Sequence, residues 1–350
     1  SRYTEYSRTI LALTALGYDP SNVGGYNLLA PLADFKAVTK QGVNGAAYAL
    51  LALDSHGYEI PAVSDGKTQT TRENLVRFIL DKQLAGGGWN FSGTAADVDM
   101  TAMVLQALAP YYKTNTEVRT AVDTALALLS DRQDVNGGYA SYGDANSESN
   151  AQVLVALTTL GIDPEADTRF LKNGHSVVDA LCAYYVGEGG FSHVADGELN
   201  GLATTQAYYA LAAYARFQNG QTSLYDMSDV TLKAGTVPDN SNGGTTTPGS
   251  GSNDGQTAGA DNGAGESGKS DAKATNAVKT GDNAAYLAAG TGFVLAAAAF
   301  VVLAKGRKKS LVQGQNTAYN NVRNTKTGGN LYERCFAGYE GAPECARISG

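Results

Sequence analysis

Residues 83–108 read QLAGGGWNFSGTAADVDMTAMVLQAL, a glycine-rich turn followed by an apolar segment with alanine on several faces. The turn ends at Trp89, and the apolar segment runs to Leu108. A helix that is apolar nearly all round must pack against neighbours on every side. The stretch therefore predicts a buried α-helix that is preceded by a tight loop.

The same pattern recurs along residues 1–220. Five Ala-Leu-rich segments align on leucines that lie 40 to 55 residues apart, namely Leu13, Leu53, Leu108, Leu157 and Leu211. The last three are each preceded by a glycine pair and an aromatic residue: Gly87-Gly88-Trp89, Gly137-Gly138-Tyr139 and Gly189-Gly190-Phe191. A period near 50 residues suits two helices and their connections.

Amphipathic stretches lie between these segments, at residues 71–83, 117–133 and 176–186, the last of which includes Tyr185. Their apolar residues recur at helical spacing, with charges on the opposite face. A ring of buried inner helices inside a ring of amphipathic outer helices satisfies both patterns. We therefore predict an all-α domain of α/α-toroid type over residues 1–230. The first repeat, 9–53, is short and lacks the Gly-Gly loop, and we expect missing sequence before Ser1.

Composition changes sharply after Tyr225. Residues 231–283 are rich in Gly, Ser, Thr, Asn and Asp, which predicts a flexible stalk. Residues 284–304 contain 21 residues without a charge, and such a helix spans about 31 Å, the thickness of one hydrocarbon core. Basic residues open the remaining segment 305–350, which predicts a cytoplasmic tail and an extracellular N-terminal domain.

The segment just ahead of the predicted membrane helix reads NAVKTGD, residues 276–282. With the helix and the basic cluster, it resembles the sorting signal of Gram-positive surface proteins, which sortases cut between Thr and Gly. That resemblance implies cleavage between Thr280 and Gly281 and attachment to the cell wall. Ala277 and Val278 stand where the usual signal has Leu-Pro.

The stretch from Gln83 to Trp89 fits the Q-x3-G-x-W signature of the terpenoid cyclase and protein prenyltransferase superfamily. Gln133 to Tyr139 fits it with tyrosine in place of tryptophan. Residues 1–220 thus look most like the prenyltransferase/squalene-oxidase repeat proteins anchored on the surface of Firmicutes. The resemblance implies an α/α toroid with an open lumen.

Asp97-Val98-Asp99-Met100-Thr101 resembles the D-x-D-D motif of class II terpenoid cyclases, in which the middle aspartate protonates the polyene. That role would fall on Asp99, but Met100 replaces the third aspartate, which tunes the acid. An alternative is helix capping, because polar residues recur at the starts of the apolar helices. We call the five aligned leucines the anchor leucines. The residues nine before Leu53, Leu108 and Leu157 are Asn44, Asp99 and Glu148, and those eleven before are Gly42, Asp97 and Asn146.

Other relatives of the toroid imply other sites. Protein prenyltransferases bind zinc through an Asp-x-Cys pair, and this sequence contains no such pair. The spacing of His56, His175 and His193 does not match that of metal ligands, so we expect no metal. Cys182 is expected to be a core residue. The segment 98–103 resembles the start of an inner helix in vertebrate cobalamin carriers, which implies a lumen that binds a cobalamin-like ligand without catalysis.

The net charge of −8 predicts no nucleic-acid partner. The leading hypothesis is a surface-anchored binding or adhesion module, not an enzyme, that captures an extracellular small molecule, glycan or protein in its lumen or rim. The alternatives are a terpenoid-cyclase-like enzyme that uses Asp99 and a structural spacer. The candidate ligand-binding residues are Trp89, Asp97, Asp99, Tyr139, Glu148, Phe191 and Tyr208. Because Tyr208 and Tyr209 are adjacent, at most one of them faces the lumen.

Overall fold

The computed structural model describes residues 3–187 and 189–233 of the 350-residue chain. The predicted sorting motif at Thr280 and Gly281, the predicted membrane helix 284–304 and the predicted tail 305–350 lie outside the described residues, as does the predicted stalk from residue 234 onward. The described part is helix-rich, with two short antiparallel hairpins, so the all-α prediction is confirmed.

Nine α-helices lie within these residues. In chain order they are α1 (Tyr3–Ala15), α2 (Phe35–Val38), α3 (Gly42–Asp54), α4 (Arg72–Leu80), α5 (Val98–Leu108), α6 (Thr116–Arg132), α7 (Ser147–Thr159), α8 (Val177–Cys182) and α9 (Gly201–Gln218). The hairpin strands are β1 (Ala140–Ser141) with β2 (Asp144–Ala145), and β3 (Tyr185–Gly187) with β4 (Gly190–Phe191). Short 3-10 turns cover Ala30–Ala33, Thr39–Gln41, Ala109–Tyr111 and Thr168–Phe170.

The odd-numbered helices form one row, in which each helix packs against the next from α1 through α3, α5 and α7 to α9. These five helices contain the five Ala-Leu-rich segments. Helices α3, α5 and α7 are buried along almost their whole length, as their apolar faces require. We call them the inner helices.

Helices α4, α6 and α8 form a second layer, packed on α3, α5 and α7 respectively. Each of the first two buries one apolar stripe, and Leu75, Val76 and Ile79 form the stripe of α4. The predicted helix 176–186 was too long, because α8 ends at Cys182 and Tyr185 belongs to β3, paired with Phe191. The side chain of Cys182 is partly buried and packs against the core.

The first repeat differs from the others, as its missing Gly-Gly loop indicates. Between α1 and α3, the chain forms only α2 and two 3-10 turns, which pack on one another and on the flanking helices. Their sequence signal is weak because each element spans at most four residues.

The three Gly-Gly-aromatic loops have equivalent hydrogen bonds. The backbone N–H groups of Trp89, Tyr139 and Phe191 donate to the side chains of Thr101, Asn150 and Thr204, at 3.0, 2.8 and 2.9 Å. Each acceptor stands seven residues before its anchor leucine. The loop geometry therefore agrees with the register that was inferred from the leucines.

The segment after α9 runs back toward the start of the chain. Met227 N–H donates to the Ser55 carbonyl at 2.7 Å, and Lys233 N–H donates to the Gly17 carbonyl at 2.8 Å. The segment thus links α9 to the ends of α3 and α1, and its contacts extend three residues beyond the predicted domain boundary at residue 230. Within the described ranges, no helix combines the length and the hydropathy needed to cross a membrane.

Candidate binding site

The amino-terminal ends of α5 and α7 bring together the acidic residues of the D-x-D motif and of the next repeat. Asp97 is the N-cap of α5, and one of its oxygens accepts a hydrogen bond from Met100 N–H at 2.9 Å. Its second oxygen accepts from the hydroxyl of Ser141 in β1, at 2.5 Å. The capping interpretation is therefore correct for Asp97, which is almost fully buried.

Asp99 stands one residue inside α5 and does not cap the helix. Its Oδ1 atom is buried, and it has no hydrogen-bond partner within residues 3–187 and 189–233. Burial raises the pKa of Asp99 from its ordinary value of 3.8 to about 7, and the nearby carboxylates of Asp97 and Glu148 add to the rise. The neighbouring hydroxyls of Ser149 and Ser141 offset a part of it.

Glu148 occupies the matching place in α7, where Asn146 is the N-cap. The Glu148 carboxylate accepts a hydrogen bond from the Ser147 hydroxyl at 3.1 Å and lies 2.8 Å from Nδ1 of His193. His193 belongs to the loop before α9, 45 residues away in sequence. The sequence patterns did not single out this pair, because nothing local relates the two residues.

The three predicted loop aromatics are packed in the core. Trp89 is fully buried, and its indole N–H donates to the Ile79 carbonyl at 2.8 Å. Tyr139 and Phe191 are each 1% exposed. The three side chains thus hold the outer layer against the inner helices, in agreement with their recurrence in every loop.

Tyr208 of α9 is 39% exposed, and its hydroxyl donates to the Gly189 carbonyl at 2.9 Å. The ring packs edge-on against Phe191. Its neighbour Tyr209 is the buried member of the pair, at 2% exposure. As expected for adjacent helical residues, the two side chains face different ways.

A pocket of about 390 Å³ lies beside Asp97, between the loop after Trp89 and the β1–β2 hairpin. Tyr142 lines it from the hairpin tip, with a positive φ of 52° and a side chain that is 75% exposed. Partial burial raises the pKa of Tyr142, and the charges of Asp97 and Asp99 raise it further, so the hydroxyl lies near both carboxyl groups. Tyr142 was not predicted, although the Tyr-Gly pair in a short loop is a turn signal.

Below the carboxyl groups, the faces of the inner helices are filled by a polar network. The amide nitrogen of Gln106 donates to the side chain of Gln152 at 3.2 Å, and Gln152 in turn donates to Gln206 at 3.0 Å. Tyr209 hydrogen-bonds both Gln152 and Gln206. In the sequence, this network is indicated only by glutamines in otherwise apolar helices, because buried polar side chains need hydrogen-bond partners.

A larger cavity of about 660 Å³ lies at the opposite, carboxyl-terminal ends of α3, α5 and α7. Two charged groups on its wall pair with each other: Arg72 lies 2.6 Å from Asp54, and the Tyr111 hydroxyl donates to the same carboxylate at 2.7 Å. The unpaired buried carboxyl oxygen lies instead at the amino-terminal ends, which we therefore treat as the candidate site.

We call Asp97, Asp99, Glu148, Tyr142 and His193 the acidic rim. Among the described residues, no group of three or more His, Cys, Asp or Glu side chains is arranged to hold a metal ion. No protein-family model matches the chain, and no curated protein matches it.

Proposed function

We propose that residues 3–233 form part of an α/α toroid that acts as a binding module, with the acidic rim as its ligand site. The observation that carries the proposal is the unpaired, buried Oδ1 atom of Asp99 beside two further carboxyl groups. The row of sequentially packed inner helices supports the toroid, because such a row curves when every helix also packs on an outer partner.

An unpaired buried carboxyl group is costly to the fold. Buried polar atoms without partners destabilise a protein by about 1 to 3 kcal/mol each. The nearby carboxylates of Asp97 and Glu148 add to the cost of ionising Asp99. A cluster that is costly to the fold and lies beside a pocket is typical of a functional site. A ligand that neutralises the rim recovers part of this energy.

The interior below the rim favours binding over cyclisation. A polyene cyclase needs an apolar chamber beneath its proton donor, whereas here Gln106, Gln152, Gln206 and Tyr209 fill the space between the inner helices. These side chains are hydrogen-bonded to one another and do not form an empty apolar wall. The ligand therefore binds on the rim and not deep in a lumen.

One observation favours the cyclase as a second candidate. A pKa of about 7 keeps the Asp99 carboxyl partly protonated at neutral pH, as a general acid requires. In class II cyclases the third aspartate tunes the pKa of the acid. In this chain, burial and the charge of Asp97 would tune the pKa of Asp99 instead. In this alternative, Asp99 donates a proton to a polyene bound above the rim.

The proposal includes display outside the cell. The predicted stalk 231–283 and membrane helix 284–304 would hold the domain off the envelope of a Gram-positive bacterium, with or without cleavage after Thr280. An exported module meets extracellular small molecules, glycans and proteins. It meets polyprenyl substrates less readily, which again favours binding.

A ligand panel tests the function. The 350-residue chain is measured by differential scanning fluorimetry against cobalamin, neutral glycans, and acidic and basic peptides. Asp99→Asn is measured beside a matched variant, Asp131→Asn, which changes an exposed aspartate of α6. We expect one class of ligand to raise the melting temperature of the wild type and of Asp131→Asn, but not of Asp99→Asn.

Two results would contradict binding at the rim. If no ligand class stabilises the chain, the domain is better explained as a spacer. If squalene or a prenyl diphosphate is converted to a cyclised product, and Asp99→Asn abolishes that turnover, the chain is an enzyme of the cyclase type.

A further inference from the structure

We propose that the acidic rim binds a lysine- or arginine-bearing peptide segment of a partner protein; this rests on the proposed function and specifies its ligand. Three equivalent loops carry the inference, and we call them the rim loops: residues 90–96, 140–145 and 192–199. Each connects a Gly-Gly-aromatic motif to the start of an inner helix or of α9.

The rim loops are joined through side-chain contacts into one surface. The second loop reaches the start of α5 through the hydrogen bond between Ser141 and Asp97. The third loop reaches the start of α7 in the same way, since Ser147 binds the Ser192 carbonyl at 2.8 Å and His193 binds Glu148. The second and third loops thus each contact the helix of the preceding repeat, and the first and second loops line the same pocket.

The charge of this surface points to a cationic partner. The rim loops contain Asp144, Asp196 and Glu198 and have no lysine or arginine. The carboxyl groups of Asp97, Asp99 and Glu148 lie behind them. Arg132 also lines the pocket, and its guanidinium donates to the Ala96 carbonyl at 2.7 Å. The negative charge of the rim exceeds what this one arginine can balance.

The rim loops also expose apolar side chains, which favours a peptide over a small cation. Phe91, Tyr142, Val194 and Leu199 are all more than a third exposed, although each is a large apolar or aromatic residue. An aromatic face beside carboxylates suits a lysine or arginine side chain, which binds through its charge and its methylene stem. A single small amine would cover only the pocket, whereas a peptide covers all three loops.

A second observation at the rim points to a missing ligand. The hydroxyl of Ser149 is fully buried next to Asp99, and it completes no hydrogen bond within the described part of the chain. The Ser149 hydroxyl lies close enough to the Asp99 carboxyl group to lower its pKa, while the Oδ1 atom of Asp99 has no hydrogen-bond partner in the described part of the chain. An ammonium or guanidinium group supplies a donor to that oxygen.

The groups that face Asp99 make the binding sensitive to pH. The charges of Asp97 and Glu148 raise the pKa of Asp99, and the charge of Asp99 in turn raises the pKa values of Tyr142 and Tyr209. His193 contacts Glu148, and Arg132 lines the pocket beside Asp97. A bound cation favours the ionised carboxyl, so binding at neutral pH releases protons from Asp99.

The test measures fluorescence anisotropy of fluorescein-labelled octalysine with the 350-residue chain in a non-ionic detergent. The rim variant combines Asp99→Asn, Asp144→Asn and Glu198→Gln. The control variant removes equal charge elsewhere through Glu59→Gln, Asp65→Asn and Asp131→Asn, all at exposed positions. We expect the rim variant to bind octalysine about tenfold more weakly than the wild type, and the affinity of the control variant to differ from that of the wild type by about twofold or less.

A pH series separates contact at Asp99 from general attraction. At pH 8 the wild type binds octalysine more tightly than Asp99→Asn, and at pH 5.5 the ratio of the two affinities falls toward one, because Asp99 is then protonated. An equal loss in the rim and control variants overturns the proposal, as does a ratio that does not change with pH.

Failure of this inference differs from failure of the proposed function. If octalysine does not bind but an uncharged or acidic ligand binds and depends on Asp99, the rim is a binding site and the cationic peptide is the wrong ligand. If no ligand in the panel depends on Asp99, both proposals fail.

Discussion

Replacing Asp99 by asparagine is expected to stabilise the fold at neutral and alkaline pH. The Oδ1 atom of the native carboxyl is buried and has no partner, although the residue as a whole is partly exposed, and the pKa is raised from 3.8 to about 7. Because each pKa unit corresponds to about 1.4 kcal/mol, the fully ionised group costs about 4 kcal/mol. Water reaching this partly exposed side chain reduces the cost, so we expect a gain of about 2 to 4 kcal/mol.

The sign of this effect depends on pH. Between pH 4 and pH 7 native Asp99 holds a proton that the unfolded chain has already released. Its contribution to stability is therefore fully present below the unfolded pKa and is lost as the pH rises through the native pKa. Asp99→Asn should match the wild type in stability near pH 4 and exceed it most at pH 8.5.

Urea unfolding measures the difference directly. Trp89 is the only tryptophan in the chain and is fully buried, so its fluorescence reports on this domain alone. Wild type, Asp99→Asn and the control Asp131→Asn are compared at pH 4 and pH 8.5. An Asp99→Asn variant with no added stability at pH 8.5, or with the same gain at both pH values, would refute the reasoning from burial and charge.

Two further predictions concern the Gly-Gly-aromatic loops. Thr101→Val leaves the buried N–H of Trp89 without its acceptor, so the free energy of unfolding in urea should fall by about 1 to 3 kcal/mol. The exposed control Thr120→Val should lower it by only about a few tenths of a kcal/mol. Equal losses in the two variants would contradict a role for the bond. Gly137→Ala, at φ +82°, would place its Cβ within 2.4 Å of a backbone carbonyl oxygen, whereas Gly86→Ala, at φ +86°, meets no atom within 4 Å. We expect Gly137→Ala to lower the free energy of unfolding by about 3 kcal/mol or more and Gly86→Ala to lower it by about 1 kcal/mol, as measured by thermal unfolding. Similar losses in the two variants would show that the loops do not pack closely.

The helical layout could be predicted because it follows from local patterns. The anchor leucines from Leu13 to Leu211 marked five buried helices, and the amphipathic stretches marked α4 and α6 within a few residues. The helix expected up to residue 186 failed because Tyr185 pairs its backbone with Phe191, which lies beyond a turn. Short turns between α1 and α3 were missed because they contain too few residues for a periodic signal.

The candidate site could be predicted only in part. Asp97, Asp99 and Glu148 were identified by their spacing from the anchor leucines. His193 and Tyr142 were not, since they reach the carboxyl groups from the following repeat.

The sequence by itself determined which segments are helical and which residues recur at equivalent places in each repeat, because hydrophobic periodicity and loop glycines act over a few neighbouring residues. Only the tertiary structure decided which of those residues meet. The packing of α5 against α7 placed Asp99 near Glu148 and left its oxygen unpaired, and the packing of α7 against α9 filled the interior with Gln152 and Tyr209. Charge repulsion, burial and missing partners depend on distances between helices some 50 residues apart, and no local pattern encodes those distances.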